Sequence, residues 1–240
     1  MEQCNLTPED MRRYSRTVML PEIGEEGQRR LLASRVMVVG AGALGSIVSM
    51  YLAGAGVGTI EIADFDTVDL SNLQRQLSFE ERNVGEIKVQ ATALRLRAIN
   101  SGIRVIAHEE FIRRDRAREL FSQADVVVEG SDNPSTKYMV SEVCVELGKA
   151  CVLGGVAGWR GQVMTWAPGH SSYRDLYPEA ADIGGCTPCS QGGVMGPVPG
   201  IVGSVQATEV IKLLTKSGTP LFDRLLTFDA LDMQFDVFRL

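Results

Sequence analysis

Apolar and polar positions divide the chain into strands and helices that take turns. Val36-Met37-Val38-Val39 is short, continuous and mostly β-branched, the pattern of a strand buried on both faces. Gly40-Ala41-Gly42-Ala43-Leu44-Gly45 follows at once; an apolar segment through Leu52 then suits a helix, and Thr59–Ala63 reads as a second strand. Val89, Ala93, Leu96 and Ile99 recur at helical spacing. Ile103–Ala107 reads as a third strand, Asp115–Ser122 as a capped helix, and Asp125–Glu129 as a fourth strand that ends in Gly130-Ser131-Asp132-Asn133. A further helix leads to a fifth strand at Lys149–Leu153. Such alternation predicts an α/β fold: a Rossmann-like, mainly parallel sheet with helices on both faces, whose ligands gather at the carboxyl ends of the strands.

The two ends of the chain depart from this rhythm. Thr7-Pro8-Glu9-Asp10 is a helix start, with a capping hydroxyl, proline at the first helical position and acids in the first turn. That helix is expected to carry Met11 through Arg16, and a second to cover Glu25–Ala33. Both precede the first strand, so they must pack outside the sheet or against another subunit. From Gly161 the periodicity changes: Gln162–Trp166 is strand-like, Pro168–Pro199 is long and rich in Gly, Pro and Ser, Ile201–Leu214 is an apolar-faced helix, and Arg224–Phe228 and Gln234–Arg239 are two final strands that extend the sheet in antiparallel fashion. The expected organisation is one domain over 1–240, with a helical arm at 1–34, a nucleotide-binding core at 35–160, and a crossover loop with a C-terminal extension at 161–240.

Composition narrows the class. At 240 residues and 45% hydrophobic content the chain can bury a sizeable core, and a net charge of −6 advertises no basic surface for nucleic acid. No apolar run reaches the roughly 18–20 residues of a membrane span, and the polar, acidic start MEQCNLTPED does not resemble a secretory signal. The expectation is a cytoplasmic protein without a membrane or nucleic-acid partner. Five cysteines are not spaced as a disulfide framework. Cys144 and Cys151 sit in apolar surroundings and read as inert core, and Cys4 lies near the terminus. The only histidines, His108 and His170, read as surface residues.

The glycines and acids bring in chemistry. Gly40 and Gly42 permit a tight turn and close approach of a phosphate, and Gly45 lets the helix lie close to the strand. Helix N–H groups then face the anion. Asp64, nineteen residues after Gly45, stands where an acid would bind a ribose. A Gly-rich turn without a ligand remains the alternative. ATP chemistry further needs cations around a triphosphate and a carboxylate for Mg²⁺; Arg75 and Lys88 supply the first and Asp132 the second. Taken singly, those residues could be two solvated cations and an N-capping aspartate. A nicotinamide-dependent oxidoreductase is the reading from a different class.

RYSR at 13–16, GAGALG at 40–45, ADFDTVDLSNLQRQ at 63–76, Gly85-x-x-Lys88, Ser131-Asp132-Asn133 and GGVMGPVPGIVGSVQATEVIKLL at 192–214 together resemble the ThiF/MoeB/HesA family, bacterial relatives of ubiquitin-activating enzymes. The resemblance implies a homodimeric adenylyltransferase that uses ATP and Mg²⁺. Its substrate would be the C-terminal Gly-Gly carboxylate of a ubiquitin-like sulfur carrier protein, activated as an acyl-adenylate with release of pyrophosphate, in thiamine, molybdopterin or related sulfur transfer. Carried onto this sequence, it implies that Gly40, Gly42, Ala43 and Gly45 hold phosphate, Asp64 the ribose, and Asn72, Arg75 and Lys88 the triphosphate. Asp66 and Asn133 join the nucleotide-binding set, Asp132 is the Mg²⁺-linked acid, and Arg16 reaches the partner subunit's ATP. Siblings that adenylate a tRNA base or a peptide, and a catalytically silent scaffold that binds the carrier, are the other readings.

Cys189, in Cys186-Thr-Pro-Cys189, resembles the family's crossover-loop cysteine, where a thiolate could form an acyl or persulfide link to the carrier. The same pair could be half of a zinc site. Where the family's first zinc pair is expected the chain reads Ser172-Tyr-Arg-Asp175, and it ends at Leu240 before a second. No structural zinc is expected, and a redox-active C-x-x-C is an outside alternative.

Overall fold

A computed structural model describes residues 6–178 and 192–240 of the chain. Eight strands form one sheet in the order β3-β2-β1-β4-β5-β6-β7-β8. The strands are β1 (Arg35–Val39), β2 (Thr59–Ala63), β3 (Arg104–His108), β4 (Val126–Glu129), β5 (Ala150–Ala157), β6 (Arg160–Trp166), β7 (Arg224–Asp229) and β8 (Gln234–Arg239). The first five run parallel and the pairs from β5 to β8 are antiparallel. The expected mainly parallel sheet with an antiparallel extension is therefore present.

The continuous apolar run of β1 is explained by what lies on its two sides. Val36 and Val38 face a core built with α4 (Ala43–Ala55), α5 (Lys88–Ile99) and the long C-terminal helix α9 (Pro197–Thr215). Met37 and Val39 face the opposite core, built with α6 (Arg114–Ser122), α7 (Pro134–Leu147) and α8 (Tyr173–Leu176). All four side chains are buried. Successive strand residues point to opposite faces, so a strand covered twice cannot alternate apolar with polar.

Strand order reverses beside β1. Helix α4 and β2 build outward to one side of it, while β4 is laid down on the other. The loops after β1 and β4 diverge there and leave the crevice in which open α/β sheets place their ligands.

The N-terminal arm is not one continuous helix. It breaks at Tyr14 into α1 (Pro8–Arg13) and α2 (Ser15–Val18), and is followed by α3 (Gly24–Ala33). Tyr14 causes the break by turning inward: it is buried, its hydroxyl accepts a hydrogen bond from Asn100 Nδ2 at 2.9 Å, and it lies against Gly56, where a Cβ would meet the tyrosine ring at 2.5 Å. Gln28 Nε2 donates to the Ala55 carbonyl at 2.9 Å and Arg30 to that of Thr215 at 2.9 Å. The arm thus lies outside the sheet, as its position in the sequence required.

Several boundaries shift. Helix α9 starts at Pro197, inside the segment expected to be irregular, because proline at a first helical position sacrifices no hydrogen bond. Strand β5 continues to Ala157 because β6 pairs with it along its length. Helix α6 starts at Arg114 without a side-chain cap, not with Asp115 as its cap.

Candidate functional site

The loop after β1 is shaped by glycine where Cβ atoms cannot fit. Gly40 has φ +96°, and a Cβ there would lie 3.0 Å from Gly130 and Ser131 of the loop after β4. At Gly45 a Cβ would stand 1.8 Å from the Gly40 carbonyl oxygen. Gly45 therefore lets α4 close on the turn itself more than on the strand. Gly42 is different: its Cβ would meet nothing nearer than Gln76 Nε2 at 3.8 Å. Gly42 is the N-terminal boundary residue of α4 and no side chain caps the helix there. The first-turn N–H groups have no partner within the helix, and Gly42, Ala43 and Leu44 line a cavity of about 960 Å³.

Asp64 ties this loop to β2. One carboxylate oxygen accepts from the Ala41 N–H at 2.7 Å and the other from the Asp66 N–H at 2.9 Å. Burial pushes the Asp64 pKa above its ordinary value, against the pull of those two donors. Asp66 is held in turn by Lys88, the first residue of α5, whose Nζ donates to Asp66 Oδ2 at 2.9 Å while its N–H donates to the Asp66 carbonyl at 2.9 Å. Arg75 Nη1 donates to the Ser71 carbonyl at 3.0 Å. Asp64, Asp66, Arg75 and Lys88 all line the cavity. Phe65 and Phe111 meet edge to face at 5.3 Å and form an aromatic wall beside Asp64.

The opposite rim is the loop after β4. Asp132 is exposed and lines the cavity. It does not cap α7: the cap is Asn133, whose Oδ1 accepts from the Ser135 N–H at 2.9 Å. Asp132 is left to face the cavity. Beneath it lies a pair that the sequence did not announce. Glu129, the fully buried end of β4, accepts hydrogen bonds from the Ser131 N–H, the Ser131 hydroxyl and the Lys137 ammonium. Burial pushes Glu129 up in pKa, against the pull of Lys137 and Ser131. The available signal was a charged residue closing the apolar run Val126-Val127-Val128, with a lysine eight residues on in the first turn of α7.

Not every expected residue reaches the cavity. Arg16 is exposed on α2 and does not line it. Asn72 also stays out: its Oδ1 accepts from the Asp69 N–H at 3.1 Å and closes a capping turn. Gly45 lies behind the loop rather than on the wall. Cys189, Cys186 and Cys4 lie outside the described residues. Arg160 and Gln162 on β6 and Tyr177 after α8 line the end away from the glycine loop and were missed in the sequence.

His108 is not a surface residue. Its Nε2 sits 2.7 Å from Glu61 Oε2, and its side chain is only 13% exposed. Burial would raise Glu61, but hydrogen bonds from Arg35 and His108 outweigh it and hold the carboxylate below its ordinary range. His170 pairs with Asp223 at 2.7 Å and stacks on Phe222. Cys144 and Cys151 are buried as expected, and burial drives the Cys144 thiol well up, which keeps it unreactive. Among the described residues no group of three or more His, Cys, Asp or Glu side chains is placed to hold a metal ion, and no helix is long and apolar enough to cross a membrane.

A glycine loop at the topological switch of a parallel sheet, faced by an acid just after β2 and another from the β4 loop, defines a Rossmann-like α/β protein. Residues 14–240 match the ThiF family model, and the chain belongs to the ThiF family. It is 43% identical over 236 residues to the adenylyltransferase and sulfurtransferase MOCS3 of Arabidopsis thaliana, covering 98% of this chain and 51% of the relative. It is also 43% identical over 224 residues to the SAMP-activating enzyme E1 of Haloferax volcanii, covering 93% of this chain and 83% of that protein. The chain thus spans about half the length of the plant relative and most of the archaeal one. Among solved structures, Escherichia coli MccB with ATP superposes with a TM-score of 0.83 at 25% identity, over 95% of this chain and 71% of that one.

Proposed function

We propose that this chain is an ATP- and Mg²⁺-dependent adenylyltransferase that activates the C-terminal Gly-Gly carboxylate of a ubiquitin-like sulfur carrier protein, releasing pyrophosphate. The observation that carries the proposal is the convergence of the uncapped α4 N-terminus, Arg75, Lys88 and Asp132 on one cavity. Two relatives named as an adenylyltransferase and an activating enzyme, and a structural neighbour crystallised with ATP, support it. The nicotinamide reading, raised by the glycines alone, gives way to the family match.

In this mechanism the α4 N–H groups and the gap left by Gly42 receive phosphate oxygens, and Asp64 orients the ribose. Phe65 and Phe111 give the base an apolar wall. Arg75 and Lys88 neutralise charge on the triphosphate. The acids present fit Mg²⁺, which uses one or two carboxylates and takes its remaining ligands from phosphate and water. Bound by Asp132 and those phosphates, it would supply charge stabilisation at the α-phosphorus and the departing pyrophosphate.

A carboxylate is already nucleophilic at neutral pH, so the protein needs no side-chain base; it aligns the carrier tail with the α-phosphorus and screens charge. The end of the cavity lined by Arg160, Gln162 and Tyr177 is the approach for that tail. Arg16, exposed on α2 and outside its own cavity, would serve the site of a second copy in a homodimer. Cys189 would act after adenylation, in sulfur transfer.

The test is ATP–pyrophosphate exchange against purified thiamine-type and molybdopterin-type carriers. Exchange with a carrier, lost when its terminal Gly-Gly is removed, is expected. Exchange driven only by a peptide or a tRNA, or by no acceptor, would overturn the proposal.

A further inference from the structure

Glu129 and Lys137 are both charged and both buried, with side chains 0% and 11% exposed. Taking two charges out of water is costly, and such pairs are poor sources of stability compared with apolar packing. What this pair does is local. Ser131 is held at every polar atom it has: its N–H donates to Glu129 Oε1 at 2.8 Å, its hydroxyl donates to the same oxygen, and its carbonyl accepts from Lys137 Nζ at 3.0 Å.

The grip is anchored to the sheet on two sides. Lys137 Nζ also donates to the carbonyl of Gly154 on β5, and Gln206 Nε2, from α9, donates to the Glu129 carbonyl at 2.8 Å. One residue beyond Asp132, Asn133 caps α7 and its carbonyl accepts from the Lys137 N–H at 3.2 Å. Asp132 is therefore suspended between two fixed neighbours, and Lys137 touches both. The loop also packs on Gly40, whose missing Cβ would lie 3.0 Å from Ser131 N.

We infer that the buried Glu129–Lys137 pair is a positioning device that fixes the Ser131–Asn133 loop and so sets where the Asp132 carboxylate stands over the cavity. Its consequence for magnesium rests on the adenylation proposal; its consequence for the loop does not. Residues behind a metal-linked group typically change metal affinity by about 10–100-fold when removed.

The experiment compares the full-length wild type with Lys137→Met, which keeps the aliphatic stem, Lys137→Arg and Glu129→Gln. Amide hydrogen exchange of the segment 130–133, without nucleotide, reads the loop. The Mg²⁺ concentration for half-maximal ATP–pyrophosphate exchange reads the carboxylate. Lys137→Met is expected to speed exchange in that segment while the central strands stay protected, and to raise the Mg²⁺ requirement by about tenfold, with Lys137→Arg restoring most of both. Glu129→Gln keeps an acceptor for Ser131 but leaves Lys137 without a counter-charge, and gives a weaker form of the same result should Lys137→Met fail to fold. Wild-type protection of 130–133 in the variants, or an unchanged Mg²⁺ requirement with activity falling only as the folded fraction falls, would overturn the inference. A wild type inactive with every carrier would refute the adenylation proposal, and the amide measurement would still decide the loop.

Discussion

Asp64 accepts a 2.7 Å hydrogen bond from the N–H of Ala41, so the acid that follows β2 and the glycine loop that follows β1 are one piece of structure. The acid expected to meet a ribose also fixes the glycine loop proposed to receive phosphate. Asp64→Asn places an amide donor against either the Ala41 or the Asp66 N–H. A buried donor left unsatisfied costs about 1–3 kcal/mol, and a lower urea midpoint together with a raised KM for ATP is expected. An unchanged midpoint would show that the loop holds its shape without the acid.

The glycines separate folding from binding. Gly45→Ala drives a Cβ to 1.8 Å from the Gly40 oxygen and should prevent folding or lower Tm sharply. Gly42→Ala meets only Gln76 Nε2 at 3.8 Å and should change stability by no more than about 0.5 kcal/mol. It should nonetheless weaken titration with a fluorescent ATP analogue, because the methyl group occupies the proposed phosphate approach. Wild-type binding by Gly42→Ala would move the phosphates elsewhere.

Asp223, at the corner before β7, accepts from the Ser171 N–H and pairs with His170; these donors lower its pKa from 3.8 to about 2. The folded state thus binds this proton more weakly than the unfolded chain does. The stabilisation is present above 3.8 and disappears as pH falls through about 2. Asp223→Asn tolerates the local φ of +54°. Its Tm should lie below that of wild type at pH 6, and the gap should close toward pH 2. A constant gap would assign the effect to packing.

Much of this architecture was legible because the physics was local. A β-branched run without polar interruption announced β1, and the glycine spacing with an acid at Asp64 announced the turn that Asp64 fixes. The Glu129–Lys137 pair was hidden because its partners come from a strand end, a helix turn and the Gly154 carbonyl of a neighbouring strand. His108 looked like a surface residue because Glu61, its partner, lies 47 positions away in the sequence. Asp132 and Asn133 are equally good helix caps by residue type; only the backbone shows that Asn133 takes that task and leaves Asp132 toward the cavity.

Lys88 is held at the site by its bond to Asp66, with only 9% of its side-chain area exposed. Lys88→Met removes the ammonium and keeps the stem. Loss of a single preorganised charge of this kind costs about 10²–10³ in kcat, and pyrophosphate exchange should fall by that order with little change in Tm. A fall in Tm that matches the fall in rate would make Lys88 a structural partner of Asp66 only.

The most direct measurement of the central claim is transfer of AMP from α-labelled ATP to the carboxyl terminus of a sulfur carrier, read by intact mass under single-turnover conditions with wild type and Asp132→Ala. The expected result is a carrier heavier by one adenylyl group with the wild type and an unmodified carrier with Asp132→Ala, whose fold is retained. Equal labelling by both proteins would contradict the role of Asp132, and no labelled carrier with a wild type that binds ATP would contradict adenylation itself.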